Sequence, residues 1–356
     1  QQTIRATIEW SYALLDDVEK CLFDRLSVFS AGVPLPAVEA VCGENISGDI
    51  GEILSSLVNK NLVVVQESKD GLIQFGLLQI FRQFGLEKLT ESGKFDQFAD
   101  RHVAYFRYVA EQAAVELRGP DQIAWTVRMI ALSENFRTAL KRTIEQKETE
   151  LAIRFSNYLF EFWLRHADFK EAQYWQEQIL ALPGAQDFPG LYTDVLNGLA
   201  WITWFRGEKK KGIALAEQSY AITNSESDTV TKVVSFLNLG LMLLHEGPGL
   251  AKGQSLIAEA SEISFQIETR WEHARSLMAH AFAQIRRKDY QRAASLYADA
   301  HRIYQDLGDL NFQGVSKRLM GNLELMRGNV REGVEAYQQA LAISRRVKNP
   351  LQIAYN

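Results

Sequence analysis

The side chains with metal-binding chemistry in this sequence are six histidines and two cysteines, and their spacing predicts no metal site. A helical zinc site places two histidines four residues apart, but the histidines here are His102, His166, His245, His273, His280 and His301. Cys21 and Cys42 are remote from all of them in the chain. The sequence also lacks a G-x-S-x-G nucleophile elbow. We therefore expect no metal ligand and no catalytic residue.

A phosphate-binding loop is also missing from the sequence. Such a loop reads G-x-x-x-x-G-K followed by Ser or Thr, and it follows a strand. The similar GPGLAKG of residues 247–253 lacks Lys followed by Ser or Thr, and it follows an apolar helical segment. Without the loop, nothing would hold the β- and γ-phosphates of a nucleotide. We predict no cofactor and no enzyme activity for this chain; ATP or ADP would belong to a longer protein.

Composition and charge narrow the classes of partner. The net charge is −5 and the pI about 5.8, so no global attraction to nucleic acid or to anionic membranes is expected. No apolar run is long enough to span a bilayer. Two cysteines in 356 residues fit a reducing compartment better than a disulfide framework. We expect a cytoplasmic protein without a membrane partner.

Small residues recur at a fixed distance along the second part of the chain. The steps are 40, 41, 40 and 40 residues, and the anchors are Ala172, Gly212, Gly253, Ala293 and Gly333. Antiparallel helices approach closely only where side chains are small. Turns are expected just before the anchors, near residues 167, 207, 247, 288 and 328. The pattern predicts five helical hairpins that stack, because no hairpin can bury its apolar face alone.

The spacing after each turn, small–x3–large–x2–small, resembles the tetratricopeptide repeat (TPR). Gly240 and Gly321 match the small position in the first helix of that repeat. The usual TPR period is about 34 residues, so these copies are longer. HEAT or armadillo repeats, whose length fits better but which lack this spacing after the turn, are the second interpretation.

The front part of the chain has a different pattern. Its amphipathic segments ATIEWSYALL, DDVEKCLFDRLSVF, PLPAVEAVCG and DIGEILSSLVNKN predict helices, with Asp16 and Asp17 at one helix start. LVVVQES and GLIQFGLL predict a β-hairpin around a Lys-Asp-Gly turn. QIFRQFGLEKLTESG predicts a closing helix that ends near Gly93. These are the parts of a winged helix.

The same segments, from about Thr3 to Leu140, resemble the winged-helix part of bacterial STAND regulators, the signal-transduction NTPases that include the maltose regulator and LuxR-type ATPases. The resemblance implies a preceding P-loop domain and a following repeat sensor. The chain opens without Met on TIRATIEWSYALL, so we expect it to be a fragment. In related proteins a Met-His-Asp stretch contacts ADP; here the matching residues are Leu77, Leu78 and Gln79, so no nucleotide contact is carried over.

DNA binding by the winged helix is the alternative function. The candidate recognition helix, Asp49 to Lys60, contains Asp49 and Glu52 against a lone Lys60, whereas a DNA reader needs several basic residues for phosphate contacts. We expect this domain to pack against other domains of the longer protein. In the alternative it would bind DNA, and the repeats would serve as a dimerising tail.

The predicted binding surface is the concave face of the repeats, which the first helix of each hairpin lines. Its inward-facing positions include an aromatic group ringed by arginine and asparagine, the composition of a ligand or peptide groove. The predicted groove residues are Arg154, Asn157, Arg165, Asn197, Trp201, Trp204, Phe205, Asn238, His245, Arg275, Phe282, Arg286 and Arg318.

The resulting prediction is a mainly α protein in three parts. Residues 1–95 form a winged-helix-like domain with a small β-hairpin, residues 96–150 a helical junction, and residues 151–356 a TPR-like superhelical solenoid. The expected function is that of the sensor or interaction portion of a STAND-type signalling or transcriptional regulator. The expected partners are a protein, peptide or small-molecule effector and the missing NTPase domain. An enzyme would instead need a pocket of clustered titratable groups.

Overall fold

Helices make up most of the chain. The computed structural model describes residues 2–67, 71–225, 229–246 and 249–355. The predicted turns around Lys69 and Asp70 and near residue 247 lie outside these residues. Packing divides the chain into two units: unit 1 comprises residues 1–112 and 127–146, and unit 2 comprises residues 113–126 and 147–356.

Unit 1 contains the predicted order of helices, hairpin and closing helix. Its first elements are α1 Gln2–Ala13, α2 Asp17–Leu26, α3 Leu35–Cys42, α4 Ile50–Asn59, β1 Val64–Glu67, β2 Ile73–Gly76 and α5 Gln79–Glu91. It also holds most of α6 Phe95–Glu116, the later half of α7 Gln122–Ala131 and all of α8 Ser133–Glu145. The mainly α fold with one small antiparallel hairpin is therefore confirmed.

Local chemistry explains where these elements begin. The Asp16 carboxylate accepts the backbone N–H of Glu19 at 2.8 Å, and the Glu19 carboxylate accepts that of Asp16 at 2.9 Å. This reciprocal cap satisfies two amides that have no partner within the helix, so α2 starts there. In the hairpin, Val65 lies opposite Phe75, and Phe75 also pairs with Val33. The core of the unit includes the fully buried Leu22, Phe23, Leu54 and Leu57.

The three-part division of the chain stays a prediction. Residues 96–150, predicted as a junction, contribute to both units, because residues 113–126 pack with unit 2 and the remainder, up to residue 146, with unit 1. Helices α6 and α7 therefore each begin in one unit and end in the other.

Unit 2 consists of the five predicted helical hairpins. They are α9 Thr149–His166 with α10 Phe169–Leu180, α11 Pro189–Phe205 with α12 Lys209–Thr223, α13 Val230–His245 with α14 Leu250–Gln266, α15 Arg270–Arg286 with α16 Tyr290–Leu307, and α17 Leu310–Met326 with α18 Val330–Val347. Helix α19 Pro350–Tyr355 follows. Among the first helices, α9 packs against α11, α11 against α13 and α13 against α15. The second helices pack less closely against one another. The repeats therefore curve towards their first helices.

The anchor residues are small because two backbones meet there. A Cβ atom on Gly253 would lie 2.7 Å from the carbonyl oxygen of Gly240. At Gly212 it would lie 2.6 Å from Trp204 Cβ and 2.9 Å from the carbonyl oxygen of Ala200. Ala293 is fully buried at the corresponding place. The periodicity in the sequence thus reflects the crossing point of the two helices in each hairpin.

The turns share one backbone feature. A left-handed residue lies in four of the hairpin turns: Ala167 with φ 60°, Gly207 with φ 93°, Lys288 with φ 63° and Gly328 with φ 86°. This conformation ends a helix and lets the chain reverse. The turns predicted near residues 167, 207, 288 and 328 are therefore confirmed.

Candidate functional site

Five of the predicted groove residues form one continuous aromatic surface. Trp201, Trp204 and Phe205 come from α11, His245 ends α13, and Phe282 lies on α15. We call these five residues the aromatic strip. It spans the first helices of three successive hairpins, the side on which the predicted groove lies.

Ring contacts connect the strip from end to end. Trp201 stacks on Trp204 with centroids 5.8 Å apart and lies 6.5 Å from Phe205. Trp204 lies 5.1 Å from His245, which in turn stacks on Phe282 at 4.9 Å. Such separations are those of attractive ring pairs. The tryptophans and phenylalanines are half-buried and His245 is exposed, so one side of the strip packs on the core and the other meets solvent.

The charges around the strip keep its histidine neutral. Burial lowers the pKa of His245, and the nearby cations Lys209 and Arg286 lower it further, while Glu246 opposes them. Arg286 and Lys209 are both exposed. At neutral pH the strip is therefore an uncharged aromatic surface with cations beside it.

One hydrogen-bond donor in the strip is unsatisfied. The indole N–H of Trp204 is buried, and it has no hydrogen-bond partner among the described residues. A buried donor of this kind costs free energy unless it is paired.

A second set of charged residues lies on α9, on α15 and at the start of α17. The buried carboxylates Glu161 of α9, Glu272 of α15 and Asp309 at the start of α17 form what we call the carboxylate cluster. Arg165 donates to Glu161 at 2.7 Å and to Asp309 at 3.1 Å. Burial alone would raise the pKa of Glu161, but Arg165 and Arg118 outweigh it and lower that pKa. Glu161 is therefore ionised at neutral pH.

Three other predicted groove residues are bonded to the repeats themselves. Asn197 bonds to Ser219 at 2.7 Å and to Ser235 at 3.0 Å. Asn238 donates to the Asn197 carbonyl at 3.1 Å and accepts from Arg275 at 2.7 Å. Asn197 and Asn238 are buried and Arg275 is half-buried. Their side chains link three hairpins; a role in ligand binding stays a prediction.

The remaining predicted residues lie apart from the strip. Exposed Arg154 pairs with Glu150 at 2.7 Å. Asn157 donates to the carbonyl of Leu191 at 3.3 Å. Arg318 is half-buried on α17. The structure thus brings together the predicted aromatic groove residues. The polar groove residues Arg154, Asn157 and Arg318 lie apart from them.

Sequence reasoning missed four residues that bear on this face. Phe169 extends the strip through a ring contact of 5.4 Å with Phe205. Glu272 and the ring of Trp271 contact the guanidinium of Arg118, and Asp309 pairs with Arg165. Trp271 lies at the start of α15, outside the positions that were predicted to face inward. Nothing in the repeat pattern of the sequence marks Glu272 or Asp309.

The candidate recognition helix α4 offers little to nucleic acid. The ammonium of Lys60 pairs with both carboxylate oxygens of Glu19, at 2.5 and 2.6 Å. Asp49 caps the start of α4 through the amide of Glu52. The one basic residue at this helix is thus engaged within unit 1.

The described part of the chain holds neither a cluster of metal ligands nor a membrane-spanning helix. No three His, Cys, Asp or Glu side chains come together there as a metal site. No helix in it has the length and apolar character needed to cross a membrane. The expected absence of a metal and of a cofactor stays a prediction.

Comparison with known proteins identifies the front part of the chain. Residues 15–90 match the family model described as a winged helix-turn-helix domain. Residues 15–90 form a winged helix-turn-helix domain. A protein of Mycobacterium tuberculosis (strain H37Rv) named an HTH-type transcriptional regulator is 29% identical over 287 residues, which are 76% of this chain and 31% of that protein. The chain thus spans about a third of the length of this relative.

Other known proteins resemble part of the chain in sequence or resemble it in structure. An uncharacterised protein of the same organism is 40% identical over 106 residues, 29% of this chain and 26% of that one. A Rap protein complexed with Competence and Sporulation Factor has a TM-score of 0.52 at 14% identity, over 61% of each chain. A STAND protein with a tetratricopeptide repeat sensor from Pyrococcus horikoshii has a TM-score of 0.42 at 15% identity, over 97% of this chain and 59% of that one.

The predicted combination of a winged helix and TPR-like repeats is confirmed. A winged helix-turn-helix domain precedes a TPR-like helical solenoid, as the resemblance to STAND regulators implied. The family model describes a winged helix-turn-helix domain, and the relative carries the name of a transcriptional regulator.

Proposed function

We propose that the chain is the sensor portion of a STAND-type signalling or transcriptional regulator. In this proposal the aromatic strip binds the effector: a peptide, a protein segment or a small molecule with an aromatic or apolar group. The winged helix-turn-helix domain then packs against an NTPase domain of the longer protein. Binding by the repeats needs no cofactor, and the protein works in the cytoplasm, where the free thiols of Cys21 and Cys42 stay reduced.

The observation that carries this proposal is the continuity of the strip. Aromatic side chains that serve only a core become covered on all sides, but here five rings from three hairpins each keep part of their surface open. Aromatic groups of this kind dominate the energetics of binding surfaces. The unpaired indole N–H of Trp204 adds a place for one directional hydrogen bond.

Two comparisons support the proposal. A relative named an HTH-type transcriptional regulator is similar over 76% of this chain, which supports a regulatory role. The Rap protein, whose repeats share this fold, is complexed with Competence and Sporulation Factor. We propose a corresponding use of the repeats in this chain.

The test uses a random peptide library displayed on phage and selected on the purified chain. The strongest synthetic binder is then titrated against three variants. His245→Ala removes the exposed centre of the strip, Trp204→Phe removes the unpaired indole N–H, and Lys210→Ala changes an exposed residue outside the strip. Loss of a central aromatic anchor typically costs about 2 kcal/mol of binding free energy, roughly a thirtyfold loss of affinity.

The expected result is a thirtyfold loss for His245→Ala, a smaller loss for Trp204→Phe and wild-type affinity for Lys210→Ala, all at wild-type melting temperature. Selected peptides that bind all three variants as they bind the wild type would rule out the strip as the binding surface. A large fall in melting temperature for Trp204→Phe alone would show that this ring is mainly a core residue; His245→Ala would then decide.

A further inference from the structure

The groove side of the repeats already holds a segment of the chain. Residues 117–122, Leu-Arg-Gly-Pro-Asp-Gln, connect α6 to α7 and pack with unit 2. Leu117 is fully buried. The guanidinium of Arg118 lies over the ring of Trp271 at 3.9 Å from its centroid. It also donates to Glu272 at 3.0 Å and lies 3.5 Å from a carboxylate oxygen of Glu161.

The other end of the segment is held by hydrogen bonds to the fifth hairpin. The amide oxygen of Gln122 accepts from the backbone N–H of Asn311 at 3.0 Å and from Arg165 at 3.2 Å. Its amide nitrogen donates to the carbonyl of Gly308 at 3.1 Å and to that of Gly119 at 2.7 Å. All hydrogen-bonding atoms of this buried side chain are thus partnered.

The middle of the segment fits closely against the turn before α17. Gly308 adopts φ +74°, and a Cβ atom there would lie 3.1 Å from both Cβ and Cδ of Pro120. Glycine at this position therefore leaves room for the proline ring. Residues 117–122 are in contact with α9, α15 and α17, which are first helices of three different hairpins.

The charges of the site favour a cation at the place of Arg118. Three carboxylates, Glu161, Glu272 and Asp309, lie close to two other guanidiniums, those of Arg165 and Arg275. Without Arg118, one buried carboxylate would be left without a countercharge, which is costly in a low-dielectric site. An aromatic face and carboxylates at hydrogen-bonding distance are the surroundings that an arginine prefers.

We propose that Trp271, Glu272 and Glu161 form an arginine-recognition site of the repeats. Arg118 occupies this site from within the chain, and an arginine-bearing peptide of a partner competes with it. This goes beyond the proposed function of the aromatic strip, because the site uses α9 and α15 residues outside the strip and recognises a cation.

The exposure of Arg118 makes exchange feasible. About 36% of its side chain is exposed, compared with 5% for Arg165 in the same cluster. Solvent weakens an ion pair at that exposure, so an incoming guanidinium can replace it. Arg165, enclosed by Glu161 and Asp309, stays in place and keeps the site formed.

The probe is a fluorescent 14-residue peptide with the sequence of residues 113–126, AAVELRGPDQIAWT, added to the full chain. The variant Arg118→Ala vacates the site and should bind the peptide at least tenfold more tightly than the wild type. A peptide with Gln in place of its arginine should bind that variant at least tenfold more weakly. The double variant Arg118→Ala/Glu272→Gln should also bind the arginine peptide at least tenfold more weakly than Arg118→Ala does. Arg107→Ala removes a surface arginine of α6 and should behave as the wild type.

The proposal is wrong if folded Arg118→Ala binds the arginine and glutamine peptides equally. If Arg118→Ala does not fold, hydrogen exchange of the wild type decides. Saturating arginine peptide should speed exchange at the amides of residues 117–122 at least tenfold, and unchanged exchange would overturn the proposal. His245→Ala should not affect this probe, so failure here and failure of the aromatic strip are distinguishable.

Discussion

The cluster around Asn135 in unit 1 and the carboxylate cluster in unit 2 bury polar groups in opposite ways. Asn135 accepts the backbone N–H of Ser30 at 2.9 Å and lies 3.2 Å from Nε2 of His102, and every group there is neutral. In unit 2, the Arg165 guanidinium lies between the carboxylates of Glu161 and Asp309, and its side chain is only 5% exposed.

The difference shows what each cluster can do besides support the fold. Hydrogen bonds between neutral groups hold the loop after α2 against α8 with a modest desolvation cost. They leave no charged group there to attract a ligand. A buried ion pair is weak evidence for stability, because desolvation cancels much of its attraction. The carboxylate cluster lies on groove-lining helices, where its charge can select a partner. Four substitutions sharpen this comparison.

The largest effect is expected for Arg165→Met in the charged cluster. The substitution leaves Glu161 and Asp309 buried with less countercharge, which costs about 3–5 kcal/mol of unfolding free energy. Urea unfolding at pH 7 followed by tryptophan fluorescence measures it well, because six of the seven tryptophans belong to unit 2. A loss of unfolding free energy below about 1 kcal/mol would mean that Glu161 and Asp309 take up protons or water in the variant. The charged cluster would then differ little from the neutral one.

The next effect concerns His102 in the neutral cluster. Burial, aided by Arg82 and Arg142 and opposed by the Asn135 bond, lowers its pKa to about 4, from an ordinary value near 6.5. The folded state therefore binds this proton less readily than the unfolded state. Stability is complete above pH about 6.5 and falls by up to about 3 kcal/mol as the pH drops towards 4.

The measurement compares the wild type with His102→Gln, which stays neutral and can still bond to Asn135. Urea unfolding monitored by circular dichroism should show that the free energy of unfolding falls more between pH 7.5 and pH 4.5 in the wild type than in His102→Gln. Equal losses would mean that the imidazole becomes protonated without unfolding. His301, whose burial also lowers its pKa to about 4, is present in both proteins and cancels in the difference.

A smaller effect is expected for Asn197→Ala, in a neutral cluster of unit 2. The substitution leaves the hydroxyls of Ser219 and Ser235 with fewer partners, at a cost of about 1–3 kcal/mol. Asn157→Ala is the matched control, because that half-buried residue makes a single longer bond and should lose less than 1 kcal/mol. Equal losses for the two variants would mean that the buried bonds around Asn197 contribute nothing extra.

The smallest effect is expected for Arg154→Met. Its pair with Glu150 has side chains 45% and 47% exposed, and exposed pairs four residues apart on a helix contribute about 0.3–0.5 kcal/mol. The same fluorescence titration as for Arg165→Met measures it, and the two arginines then differ mainly in burial. A loss above 1 kcal/mol would show that burial is not what separates them.

The sequence predicts those features that local spacing encodes. The repeated small residues Gly212, Gly253 and Gly333 located the hairpins, because close helix crossings leave a mark every 40 residues. The aromatic positions of α11, α13 and α15 were found by the same register. Amphipathic helical segments and two β-type runs around a Lys-Asp-Gly turn were sufficient for the winged helix-turn-helix domain.

Contacts between distant residues leave no such mark. The register placed Arg165 towards the groove, but nothing near it in the sequence reveals that Asp309, 144 residues later, will be its partner. Likewise Arg118 and Gln122 lie in a stretch without periodicity, so their position against the repeats could not be predicted. The inward register also could not distinguish Asn197, bonded within the repeats, from a residue open to a ligand.

The ion pair between Arg165 and Asp309 has a consequence for how this protein can change over evolutionary time. Repeat arrays ordinarily gain and lose copies readily, because each copy contacts only its neighbours. Here the first hairpin is bonded directly to the fifth. Inserting or deleting one 40-residue copy would shift Asp309 by the distance between packed helices, about 10 Å. Arg165 and Asp309 would then lose each other as partners. The bond therefore ties the array to its present number of copies, because the gain or loss of one copy costs this ion pair.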